Sequence, residues 1–292
     1  MSYTIGSFNL LNFSGRTEKD LDAIATIIAS EQFDIVALQE VLRPEALTML
    51  LRRLPWYWEG RQSTPRSSKE ELEWNDTPST ASNIPQGVKK SANTAKGYAY
   101  LWNTRRFREC SKSGPQIFEQ IKNGSLVRNP FYGRFTSAGL PGGTFCELRL
   151  VNVHLCSPAE NKAARMKEYS LITDEVLKRI GTKRYGDNRP AYTIVLGDYN
   201  MPVAWCAGNG ESGFGNSIIT EQEDKTTLSK ENDFANDYDH FSYDMIGMSD
   251  IELYIKRVNA VEKYYHNDFV NYHKKVSDHI PVKMELELNS GY

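Results

Sequence analysis

Short apolar runs, each ending abruptly in polar residues, constrain this chain more than any other feature. "FDIVALQE" and "AYTIVLGD" are too brief for helices and apolar enough for buried strands, and unbroken runs of this length belong to strands covered on both faces. "FCELRLVNVHL" alternates only imperfectly and reads the same way, while "YTIGSFN", "GYAYLWN", "FSYDMIGM" and "IPVKMELEL" supply further strands. Between them run segments with helical period. Leu21, Ile24, Ala25 and Ile28 fall on one face after Thr17 and Asp20, which resemble a capping box. Pro44 suits the first turn of "PEALTMLLRRL", and Ser157 with Pro158 predicts the N-cap and N1 of a helix whose inward stripe is Met166, Tyr169, Thr173, Val176, Leu177 and Ile180. Strands and helices interleave without the strict alternation of a doubly wound parallel sheet, which favours mixed sheets with helices outside.

By length alone, 292 residues allow one large domain or two ordinary ones. No apolar run approaches the roughly 20 residues of a membrane span, so no stable membrane association is expected. "MSYTIGSFNLL" lacks the charged start and small-residue cleavage site of a secretory signal; together with four widely spaced cysteines and no C-x-x-C pair, this leads to the expectation of a cytoplasmic, thiol-bearing protein, without a zinc knuckle or redox motif. Residues 60–96 crowd Ser, Thr, Asn, Pro and Lys into a surface insertion, and about 207–240 is an acidic, Gly-rich loop region. The net charge of -2 excludes a grip on nucleic acid through bulk electrostatics. Residues 103–134 nevertheless carry seven Lys/Arg against two acids, and 221–252 carry ten acids against two lysines. The pair reads either as two solvated faces or as a phosphate-facing wall with an acidic insertion opposite.

Polar, metal-capable residues recur where the apolar runs stop: Asn9, Glu40, His154, Asp198 with Asn200, and Asp278 with His279 before the last strand. Each alone has an ordinary structural reading as a turn former, a strand end or a core histidine. Together they form one chemistry. Carboxylates and amides suit a hard divalent cation such as Mg²⁺, which is held by one or two protein carboxylates plus water and substrate phosphate, and two histidines can move protons near neutral pH. No Gly-rich phosphate loop, G-x-S-x-G or H-E-x-x-H is present to suggest another chemistry.

In this order, "SFNLLNF", "DIVALQEV", "LVNVHLCSP", "TIVLGDYNMP", "SYDMIGMS" and "VSDHIPV" resemble the motif series of the endonuclease/exonuclease/phosphatase superfamily, from residue 3 to about 284. The resemblance implies an α/β (α+β) fold, a deoxyribonuclease I-like four-layer sandwich of two packed mixed β-sheets flanked by helices, and hence a single domain over 1–292. It implies Glu40 as principal metal ligand with Asn9 and Asp278 beside it, and one or two Mg²⁺ ions, with Mn²⁺ as an alternative. His279 becomes the general base or phosphate-contacting histidine, oriented by Asp244. Asp198 and Asn200 orient the attacking water and phosphoryl oxygens, His154 donates to a leaving or phosphate oxygen, and Arg128 and Asn12 meet the substrate.

The implied activity is a Mg²⁺-dependent phosphodiesterase, foremost a nuclease on DNA or RNA and expected as a monomer; Trp56, Trp58 and Trp74 are candidate base-stacking residues. Departures from the family's branches matter. Lys96-Gly97 stands where the deoxyribonuclease I branch carries the glutamate beside its leaving-group histidine, "VHLCSP" replaces the exonuclease III pattern, and the inositol 5-phosphatase signatures are absent. A phospholipid head-group or small-molecule phosphodiesterase and a catalytically silent binding protein therefore stay open beside the nuclease.

Overall fold

A computed structural model describes residues 2–14, 19–63, 97–110, 114–119, 121–124, 126–138, 146–156, 162–185, 189–206 and 217–288. The expectations that fall on Thr17, Ser157, Pro158, Trp74, most of the 60–96 insertion and 207–216 lie outside the described residues. The strands are β1 (Ser2–Phe13), β2 (Ile35–Val41), β3 (Trp58–Gln62), β4 (Gly97–Asn103), β5 (Phe107–Glu109), β6 (Gln116–Ile117), β7 (Phe131–Ser137), β8 (Glu147–His154), β9 (Ala191–Asp198), β10 (Ile218–Glu221), β11 (Asp239–Asp244), β12 (Ile251–Arg257) and β13 (Val282–Leu288). They form two mixed sheets, one ordered β12-β13-β1-β2-β4-β3 and the other β10-β11-β9-β8-β7-β5 with β6 beside β7. β1 runs parallel to β2, and β8 parallel to β9; each parallel pair is joined through a helix that covers the outer face.

The expected α/β sandwich is therefore observed. Tyr3, Ile5, Ile35, Ala37, Tyr98 and Tyr100 of the first sheet pack against Phe131, Phe135, Leu148, Leu150, Ile194 and Leu196 of the second. Because side chains alternate across a strand, the opposite faces build two outer cores. Phe8, Val36 and Leu38 meet Ile24, Ile27 and Ile28 of helix α1 (Leu21–Ser30), with helix α2 (Pro44–Leu51) adding Leu47 and Leu50. Val151, Val153 and Val195 meet Tyr169, Ile172, Val176 and Ile180, which lie on helix α3 (Lys162–Ser170), its π-helical continuation Leu171–Leu177, and helix α4 (Lys178–Gly181).

Local signals are mostly as read, with three differences. α1 is capped by Asp20 itself, whose Oδ1 accepts the Ala23 N–H at 2.9 Å. "FSYDMIGM" is strand only to Asp244 and then turns into a 3₁₀ segment, Ile246–Met248. β3, β5, β6, β7, β10, β12 and the short helices Val203–Cys206, Ala260–Tyr265 and Phe269–Lys275 were not anticipated, and β3 and β10 place strand at 60–62 and 218–221 where surface insertion and loop were expected; β12 alternates more and less exposed positions at the sheet edge, so it has no apolar run. Among the described residues no helix is long and apolar enough to cross a membrane, and no disulfide joins the four cysteines.

Candidate active site

Strand register brings the polar residues together at one rim. In the second sheet His154 at the end of β8 lies level with Asp198 at the end of β9, and Asp198 lies level with Asp239 at the start of β11. In the first sheet Asn9 is level with Gln39, and Glu40 follows in a bulge where the registers of β1–β2 and β2–β4 both shift. Glu40 carries φ 62, a costly left-handed backbone for a non-glycine residue. A bulge of this kind re-aims a side chain. Gly197 secures the other side: at φ 148, a Cβ there would lie 2.0 Å from the Val153 carbonyl oxygen, so only glycine lets β9 approach β8 this closely before Asp198.

Asp198 Oδ2 is the hub. It accepts Asn9 Nδ2–H at 2.9 Å and lies 3.5 Å from His154 Nε2 and 3.7 Å from His279 Nε2. Its other oxygen accepts the Asn200 N–H at 2.8 Å. Glu40 accepts the Asn12 N–H at 2.8 Å and lies 3.9 Å from His154 Nε2. Asp278 stands at the more open edge, 4.0 Å from His279 Nε2. Burial pushes the Asp198 carboxyl up to about 7, with His279 opposing and Asp239 adding to the rise. Burial works against a charged His279, but the Asp239 and Asp198 carboxylates outweigh it and hold the ring well above its ordinary value.

Several expectations are corrected. His279 Nδ1 bonds Asp239 Oδ2 at 2.7 Å, and Asp239 also accepts the Thr226 hydroxyl at 2.6 Å; the orienting acid is therefore Asp239 and not Asp244. Asp244 lies five residues further along the same strand, level with Ile218, and at about 3.3 Å per residue it is far out of reach. Asn9 is in place, but its Oδ1 accepts the Leu11 N–H at 3.0 Å and its amino group faces Asp198 and Glu40, the role of a carboxylate-orienting donor. Arg128 reaches the site and bonds the chain there, Nε to the His154 carbonyl at 2.9 Å and Nη2 to that of Leu155 at 2.8 Å. Asn200 Nδ2 donates to the same Leu155 carbonyl at 3.1 Å.

The basic segment is not a free wall. Arg106 pairs with Asp34, Arg134 with Glu147, and Arg105 lies over Trp56 and Tyr57. The acids of 221–252 are likewise dispersed: Glu221 accepts the Tyr243 hydroxyl, Asp250 that of Tyr192, and Asp239 serves the site. Of the tryptophans, Trp58 is buried and Trp56 is 84% exposed.

Sequence reading missed Asp239, whose signal was an acid opening a strand antiparallel to the one Asp198 closes. It also missed Lys19. That ammonium donates to the Val276 carbonyl at 2.7 Å, and burial pushes it down to about 8 against the pull of Asp278 and Glu40.

Among the described residues no group of three His, Cys, Asp or Glu side chains is packed to ligand spacing. Glu40, buried and accepting the Asn12 N–H, and Asp278 at the rim are carboxylates of the kind a hard cation takes.

Solved structures share this architecture. An endonuclease/exonuclease/phosphatase family protein from Bacteroides thetaiotaomicron superposes with a TM-score of 0.62 at 17% identity, over 100% of this chain and 97% of that one. TDP2 from D. rerio, complexed with a single-strand DNA product, gives 0.62 at 14% identity over 98% and 99%. A B. thetaiotaomicron mannosyl-6-phosphatase gives 0.58 at 16% over 98% and 100%. The chain thus has the fold of these proteins. No protein-family model matches the sequence, and no curated protein matches it either.

Proposed function

We propose that the chain is a divalent-metal-dependent phosphoric ester hydrolase whose first substrate class is nucleic acid. The observation that carries this reading is the Asp198 carboxylate set between two imidazole Nε2 atoms, one of them on a ring held by Asp239. Glu40 and Asp278 would hold the cation, which when bound supplies positive charge to a phosphoryl oxygen.

The protein's own groups divide the remaining work. The Asp239 bond holds the charged His279 ring through Nδ1 and turns Nε2 toward Asp198 and Asp278, where the Asp198 carboxylate takes a proton from the attacking water and the imidazolium offsets charge developing on the phosphoryl oxygen. Attack in line with the leaving oxygen breaks the P–O bond. His154, across Asp198 from His279, returns a proton to that oxygen. Asn9 keeps Glu40 and Asp198 apart without adding charge, and Asn200 and Asn12 border the phosphoryl oxygens. Each proton-transfer group of this kind contributes on the order of 10² to 10⁴ in rate.

The complex of a neighbouring fold with single-strand DNA supports nucleic acid as substrate. A second reading, a small phosphoester, is favoured by one observation: Arg106, Arg128 and Arg134 are spent on internal partners, leaving less positive surface for a long polyanion. Four cysteines that form no disulfide suit action in a reducing compartment. A panel of single-strand DNA, duplex DNA, RNA, sphingomyelin, hexose 6-phosphate and bis(p-nitrophenyl) phosphate, each with Mg²⁺ or EDTA, tests both. Mg²⁺-dependent cleavage of a nucleic acid is expected; turnover of the sugar phosphate or lipid alone establishes the second reading, and turnover undiminished by EDTA removes the cation from the account.

A further inference from the structure

We infer that Glu168 is the positioning residue for the leaving-group side of the site. Glu168 lies on α3 and is 1% exposed. Its Oε1 accepts the Val127 N–H at 2.5 Å and its Oε2 the Cys156 N–H at 2.6 Å. One carboxylate thus ties the loop that carries Arg128 to the chain two residues beyond His154. Arg128 closes the circuit by donating back to the His154 and Leu155 carbonyls.

The same helix face extends the arrangement in both directions. Glu175 accepts the Asn123 N–H at 3.0 Å and also that of Lys122, fixing the start of the Arg128 loop. One turn before Glu168, Arg165 donates Nη1–H to the Asn200 carbonyl at 2.8 Å, holding a residue whose φ is 52. A buried carboxylate forced to serve two backbone donors on separate loops is costly to desolvate. What it returns is a fixed exit angle for β8, and hence a fixed ring for His154. Support of this indirect kind is worth about 10- to 100-fold around comparable sites.

The inference rests on the proposed role of His154 as proton donor, and the test uses that dependence. Thymidine dinucleotide, whose alkoxide must be protonated as it leaves, is compared with bis(p-nitrophenyl) phosphate, whose leaving group needs no proton. Glu168→Gln is expected to lower kcat on the dinucleotide by about 10- to 100-fold with KM little changed, and to leave the nitrophenyl ester nearly untouched. Combined with His154→Ala it should cost no more than His154→Ala alone. Glu168→Asp, which keeps the charge but reaches only one loop, gives the same pattern more weakly and serves if the Gln variant does not fold. Equal losses on both esters, or losses that multiply with His154→Ala, overturn the positioning role while leaving the hydrolase reading intact. A wild-type protein inert toward both esters overturns that reading and the role of Glu168 with it.

Discussion

The strand pair β8–β9 has a charged, buried cluster at each end, and the two behave oppositely. At its start Glu147 is fully enclosed, its oxygens accepting Arg134 Nε at 2.9 Å, Arg134 Nη2 at 2.8 Å and Arg149 Nε at 2.7 Å. Arg149 is further anchored to the Ile180 and Lys183 carbonyls at 3.0 Å each. Burial would raise the Glu147 carboxyl, yet the two guanidinium groups hold it below its ordinary value. At the other end Asp198 is equally buried but meets its imidazoles only at 3.5 and 3.7 Å, and burial carries it up to about 7. A charge matched at bonding distance is a structural fastening. One bonded only by neutral donors, with its charged partners just beyond bonding distance, keeps a raised carboxyl, a pattern that clusters at functional sites.

The largest effect that can break this comparison is on turnover. His279→Ala should lower kcat per folded molecule by roughly 10² to 10⁴, beyond any stability lost with the Asp239 pairing; a loss of stability with activity per folded molecule preserved would make the rim cluster structural after all. At the opposite end Glu147→Gln should do the reverse, costing about 3 to 5 kcal/mol in denaturant unfolding because two buried arginines lose their counterion, with kcat per folded molecule unchanged. The smallest effect is in pH dependence, measured on chelator-treated protein. His279 is raised in the fold, so its pairing with Asp239 contributes stability that is complete below its unfolded value of about 6.5 and lost as pH rises through the folded value. The stability difference between wild type and Asp239→Asn should therefore shrink as pH rises. Glu147 is lowered, so its contribution is present above about 4.3 and lost as pH falls through the folded value; its difference from Glu147→Gln should shrink only in acid.

Much of this was legible in sequence because it is local. Unbroken apolar runs identified β2 and β9, and an imperfect alternation identified β8; the polar residue closing each, Glu40, His154 or Asp198, stands at the rim for the same reason: a strand buried on both faces can present a functional group only where it ends. Asp239 was not legible, because its role depends on antiparallel pairing of β11 with β9, a relation between segments about 40 residues apart rather than a pattern within either. The motif "SYDMIG" drew attention to Asp244, which has the right residue type at the wrong end of the strand. Arg106, Arg128 and Arg134 were legible as charges but not as partners, since Asp34, Glu147 and the carbonyls that engage them come from distant elements. Glu168 sits on a helix face whose burial pattern gives no hint that a carboxylate belongs there.

The central claim is that the strand ends of both sheets converge on one hydrated cation. Anomalous diffraction from crystals soaked in Mn²⁺ examines it directly, in wild type and in Glu40→Gln. The account predicts a peak against the Glu40 carboxylate on the side facing Asp278, absent in the variant. A peak elsewhere on the molecule, or one that persists unchanged without the Glu40 carboxylate, would contradict it.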